Sequence, residues 1–121
     1  MIVEHLNSTE LLLWGTTLHL IIDWLLQNEW MAVNKTQVRH PAGYVHAGLH
    51  TAAMLMIFPW AAALAIGVLH FLIDTRKPLE WWRHVVTQTT TGPIALDVHI
   101  WRDQTVHVAT IAIFALICAP T

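Results

Sequence analysis

The 121-residue chain has one cysteine, Cys118, which excludes an intrachain disulfide and any CxxC metal knuckle. Basic residues are nearly as scarce. Six Lys and Arg stand against eight Asp and Glu, for a formal net charge of -2, so the basic stripe of a nucleic-acid module is missing. The opening "MIVEHLNSTE" has no Lys or Arg, and no small-residue cleavage site follows the first apolar run. That run is therefore expected to remain in the mature protein. No solenoid repeat or low-complexity tract is visible. Charge of either sign makes up only 12% of the chain while 55% is apolar and mean hydropathy is +0.51, more apolar surface than so short a chain can easily hide from water. Lipid is the expected solvent for it. The seven tryptophans fit the same expectation, as belt residues at headgroup level.

Four apolar segments follow one another, at about residues 11–26, 44–58, 60–75 and 100–119. "NSTE" supplies a helix start, with Asn7 or Ser8 as cap and Glu10 in the first turn. Pro59 divides the second segment from the third and permits two readings. One kinked helix over residues 44–75 would be about 48 Å long, beyond the roughly 30 Å of a hydrocarbon core. Two short helices joined at "FPWA" fit better, with thinning or interfacial anchoring to make up length. The predicted fold is all-α: one domain over residues 1–121, an integral membrane bundle of four transmembrane helices with a short interfacial helix near 79–86 in "LEWWRHVV". All six basic residues fall in or beside the loops after the first and third segments. By the positive-inside rule those loops are cytoplasmic and both termini lie on the non-cytoplasmic side.

Each segment carries an ionisable pair four residues apart: His19 and Asp23, His46 and His50, His70 and Asp74, Asp103 and His107. On a helix that spacing puts both side chains on one face. The pairs come late in the odd segments and early in the even ones, so alternating helices bring all eight groups to one end. A charge at the centre of a membrane helix costs about 2.5–3.5 kcal/mol, and a divalent cation would compensate. Imidazole and carboxylate donors on facing helices suit zinc first, then iron or manganese. Eight candidates exceed one tetrahedral site, so either one or two ions bind, with the surplus orienting the ligands. Hydrogen bonds that merely satisfy polar spots, or a proton path, are the competing readings. Haem fits less well, because aspartates accompany three of the pairs. Gln27 and Gln104 adjoin the cluster, Lys35 and Lys77 could receive an anionic group, and Asp97 with His99 could extend the site. His5, His40 and His84 fall outside the segments and are expected to be exposed, while Cys118 reads as a packing residue.

The ordered blocks "HLIIDWLLQNEWMAVNK", "HAGLH", "HFLIDTRK" and "RDQTVH" resemble the bacterial and phage integral-membrane proteins grouped as domain of unknown function 3307. The resemblance runs from about Leu11 to about His107. It implies a multi-helix membrane domain whose pattern includes His19, Asp23, Gln27, Lys35, His50, His70, Asp74, Lys77, Asp103, Gln104 and His107, and a location in a bacterial or phage-encoded inner membrane. A looser similarity, by analogy only, links it to membrane-bound metal-dependent hydrolases. The expected function is metal-dependent hydrolysis of an ester, most naturally a phosphoester of lipid or nucleotide type. Asp23 or Asp103 would serve as base, and Gln27, Lys35, Lys77 and Gln104 would bind the substrate. The alternative is a non-catalytic metal- or cofactor-holding subunit of a larger membrane complex. Expected partners are the lipid bilayer and either other membrane proteins or further copies of the chain. Transport is disfavoured by the apolar outer halves "AAMLMIFPWAAALAIGV" and "ATIAIFALICA".

Overall fold

A computed structural model describes residues 5–88 and 90–120. Helix α1 (Ser8–Ile21) starts in a capping box. The Asn7 side chain accepts from the Glu10 amide, and the Glu10 carboxylate accepts from the Asn7 amide, satisfying two amides that would otherwise lack partners. Its last turn widens into a π-helical turn, Ile22–Leu26. A short α2 (Glu29–Asn34) follows, capped by Asn28, whose side chain accepts from the Met31 amide. Helix α3 (Pro41–Met54) has proline in its first turn, where no intrahelical donor is lost. Pro59 then caps α4 (Trp60–Asp74), and α3 and α4 pack on each other as a hairpin. Arg76, at φ 65°, turns the chain into α5 (Lys77–Val86), and α6 (Ala95–Cys118) closes the fold.

The four long helices meet in the cyclic order α1, α3, α4, α6. Polar and apolar residues are segregated along the bundle. At one end Leu11, Met54, Phe58, Ala63, Ile66, Ile111 and Ala115 form the apolar core, with Cys118 packed partly against it. The other end holds the histidines and aspartates. Two glycines permit the close helix approaches between these ends. A Cβ on Gly15 would lie 2.6 Å from Ile111 Cγ2, and one on Gly67 would overlap Thr51 Oγ1. Larger residues there would push α1 from α6 and α4 from α3.

The all-helical expectation agrees with this architecture, but the transmembrane one does not. Among the described residues no helix is long and apolar enough to cross a membrane. The helices α1, α3 and α4 have 14, 14 and 15 residues, or about 21–23 Å at 1.5 Å per residue, short of the roughly 30 Å required. At 24 residues α6 is long enough, but its first half carries Asp97, Arg102 and Asp103. The π turn at Ile22–Leu26 ends α1 short of the expected first span, and α3 and α4 on either side of Pro59 stay too short to span. With the spans goes the multi-pass inner-membrane location, and residues 79–86 form part of α5. The expected side for the two termini lies outside the described residues. All seven tryptophans are exposed nonetheless.

Candidate metal centre

Seven of the eight paired residues are buried, and Asp103 is half-buried. They come from every long helix: His19 from α1 and Asp23 from its π turn, His46 and His50 from α3, His70 and Asp74 from α4, Asp103 and His107 from α6. A π turn widens the helix locally and recurs at functional sites; here it carries a carboxylate into the centre of the bundle.

Two carboxylates organise the cluster. Asp23 Oδ1 lies 3.0 Å from His46 Nε2, 3.0 Å from His50 Nε2 and 3.9 Å from His70 Nε2. Asp23 Oδ2 lies 3.4 Å from His19 Nε2 and accepts from Gln104 Nε2 at 3.1 Å. Asp74 faces His70 at 3.1 Å, His107 at 3.2 Å, His46 at 3.4 Å and the Lys35 ammonium at 3.3 Å. Gln104 links the two halves further, for its Oε1 is 3.0 Å from His19 Nε2 and its Nε2 donates to Asp103 Oδ2 at 3.2 Å. The imidazoles crowd together, with His50 and His70 stacked at 3.6 Å between centroids and His70 and His107 at 4.1 Å.

Burial decides the protonation of most of these groups. Desolvation pushes the His19 imidazole down to about 4 despite the raising effect of Asp23. Burial also lowers His50, and lowers His70 well below the ordinary histidine value, against the pull of Asp23 and Asp74 respectively. These rings are neutral at pH 7 and offer lone pairs. Burial works the other way on Asp23, but hydrogen bonds with His46 and His50 and the nearby Lys35 overcome it and hold the carboxyl far below its ordinary range. Asp74 is likewise ionised, because bonding to His107 and His70 outweighs its burial. Asp103 is pushed up, chiefly by burial. Among the described residues Lys35 is the one Lys or Arg side chain in ion-pair contact with this cluster. One ammonium therefore faces two firmly ionised carboxylates.

Three overlapping sets of side chains can hold a metal ion: Asp23, His46, His50 and His70; His19, His70 and His107; and Asp23, Asp103 and His107. One buried imidazole nitrogen in them, His46 Nδ1, lacks a hydrogen-bond partner, while His70 Nε2 faces an Asp74 oxygen at 3.1 Å. A water-sized void of about 10 Å³ borders His19, His50, His70 and His107.

On its outer side the cluster opens into a cleft of about 240 Å³. Asp23, Asp74 and Asp103 line it together with Lys35, Gln27 and Gln104. Gln27 is fixed by donating to the Asp23 carbonyl at 3.3 Å. Lys77 is exposed at the start of α5 and is not among the cleft residues. Arg76, Trp24, Ile100 and His99 are. Of these only His99 was foreseen, as a possible extension, and Asp97 lies outside the cleft. Burial and the adjacent Arg76 and Arg102 lower the His99 pKa. The left-handed backbone of Arg76, rare for a residue with a Cβ, follows from the tight α4–α5 joint and has no sequence signal beyond "DTRKP".

The family model described as protein of unknown function, DUF3307, matches residues 11–121. No curated protein and no solved structure matches the chain. The chain belongs to that family.

Proposed function

From the cluster geometry, we propose that this protein binds one zinc ion through Asp23, His46, His50 and His70 and uses it to hydrolyse a phosphoester held in the adjoining cleft. The spacing of the donors supports the metal. With bonds of 2.0–2.1 Å, the ligand atoms of a tetrahedral zinc stand about 3.3 Å apart. The three imidazole nitrogens lie 3.0, 3.0 and 3.9 Å from Asp23 Oδ1. A set of three nitrogens and one oxygen suits zinc better than harder cations. An ion-pair network alone sets one ammonium against two ionised carboxylates, an excess of negative charge that a divalent cation answers. His70 and Asp23 are each shared between candidate sets, which favours one ion over two.

The observation that carries the hydrolytic reading is that Asp23, Asp74 and Asp103 line a cleft that also contains Lys35 and Arg76. A zinc held there would supply a water acidic enough to attack at neutral pH and would polarise a phosphoryl oxygen, provided the four-ligand site opens or expands to a fifth position. The protein's own groups do the remainder. Lys35 and Arg76 hold the anionic phosphate, Gln104 fixes His19 and both nearby carboxylates, and Asp103, partly open to the cleft, takes the proton. A non-catalytic clasp is the second reading, favoured by the closed four-ligand set, since structural zinc sites leave no position open.

Calorimetric titration of zinc into chelator-treated protein, followed by assay with bis(p-nitrophenyl) phosphate, tests both. The wild type is expected to bind one zinc and cleave the ester. Asp23→Asn and His46→Ala should weaken binding at least about 100-fold. Asp103→Asn should keep the metal and lose about 100-fold in kcat. Less than about half an equivalent of zinc in folded protein would sink the metal assignment, and full occupancy without cleavage would leave the clasp.

A further inference from the structure

The polar cleft does not end at its own rim. A second groove, about 670 Å³ in volume, runs between α1 and α6, within the size range of sites that hold small organic ligands. Its walls are almost entirely apolar, formed by Leu12 and Leu20 on one side and Val108, Ala109 and Ala112 on the other. The two depressions adjoin at Trp24, Ile100 and Gln104, which line both. From Ile100 to Ala112 the groove follows α6 for about 18 Å. The combined shape is a polar head, where Lys35 and Arg76 stand beside Asp23, Asp74 and Asp103, next to a long apolar trough.

We infer that the substrate is an amphiphile, a phosphoester bearing an aliphatic chain, with its phosphate in the cleft and its chain along the α1–α6 groove. The inference rests on the cleft reading above for the position of the phosphate. Lys35, Arg76 and the proposed zinc receive the phosphate, and the adjoining apolar walls set the direction of the tail. A nucleotide would place its base against these same apolar walls, with Gln104, Thr105 and Asp97 as its polar partners.

Binding of non-hydrolysable phosphonates, measured by calorimetry below their aggregation concentrations on zinc-loaded protein, tests the groove independently of turnover. Dodecylphosphonate is expected to bind at least about tenfold more tightly than butylphosphonate, because each well-buried methylene multiplies affinity by about four. Ala109→Trp and Thr105→Trp, both at exposed positions, should erase that difference by filling the trough. Equal affinities for the two phosphonates, tighter binding of uridine monophosphate than of dodecylphosphonate, or an undiminished chain preference in both folded variants would each overturn the assignment. If the chain preference holds but no phosphoester is cleaved, the hydrolytic reading fails alone. If esters are cleaved without regard to chain length, the groove fails alone.

Discussion

His70 is the residue on which the cluster turns. It stacks on His50, approaches His107, and turns its Nε2 toward both Asp23 and Asp74. Its neighbours explain why acid should be the protein's weak side. His19, His50 and His70 all have folded pKa values below the ordinary 6.5. Below pH 6.5 the unfolded chain takes up protons at these positions that the folded chain refuses, so stability falls as pH drops from 6.5 toward about 4. The limiting slope is about 1.4 kcal/mol per pH unit for each such histidine. Asp23 and Asp74 have depressed values, so their contribution is intact above the ordinary carboxylate value and is lost below it. Asp103, raised by burial, acts in the opposite sense, but it is one group against five. Urea unfolding of metal-free protein should therefore show its midpoint already falling between pH 6.5 and 5. A midpoint that stays level until pH 4 would mean that the histidines are not buried as described.

At the scale of helices, the contact between α3 and α4 sets the distances within the site. Gly67 lies one turn before His70, and Thr51, which a Cβ at Gly67 would strike, directly follows His50. Thr51 Oγ1 donates to the Ala47 carbonyl at 2.9 Å and is not free to swing aside without losing that bond. Gly67→Ala is expected to cost about 1–3 kcal/mol by overpacking and to weaken zinc binding by separating His50 from His70. Unfolding and zinc titration of that variant check both parts, and a variant as stable as the wild type would show that the helices part easily. These elements also mark what the sequence made legible. The four pairs of ionisable residues are legible because spacing and alternation of direction are local properties, and the convergence of all eight residues follows from them. Helix α2 has no sequence signal beyond Asn28, because six residues are too few for a periodic pattern. The apolar segments begin after the first turns of α3 and α6, because His40, Pro41 and Asp97 interrupt the apolar pattern there. Arg76 and Trp24 reach the cleft through tertiary packing and the α4–α5 joint, which no spacing rule encodes.

For the whole molecule, the main correction is that apolar composition does not measure the length of apolar elements. The hydropathy of residues 44–75 belongs to two helices joined at Pro59 that cover each other, and the polar end of each belongs to the cluster. A ligand that binds only the folded state stabilises it by about 4 kcal/mol at a thousand times its dissociation constant, so chelation should lower the melting temperature and zinc should restore it. An unchanged melting temperature would argue against a resident ion. The separation of the apolar core from the cluster gives this loss a location and an order in time. Hydrogen exchange of the chelated chain should quicken around His50 and His70 while Met54, Ala63 and Ile111 stay protected. The same four helices thus have an end that can assemble early on hydrophobic contact alone and an end that closes last. On the zinc reading, removing the ion loosens the polar end and leaves the apolar end packed, a partly ordered state rather than an unfolded one.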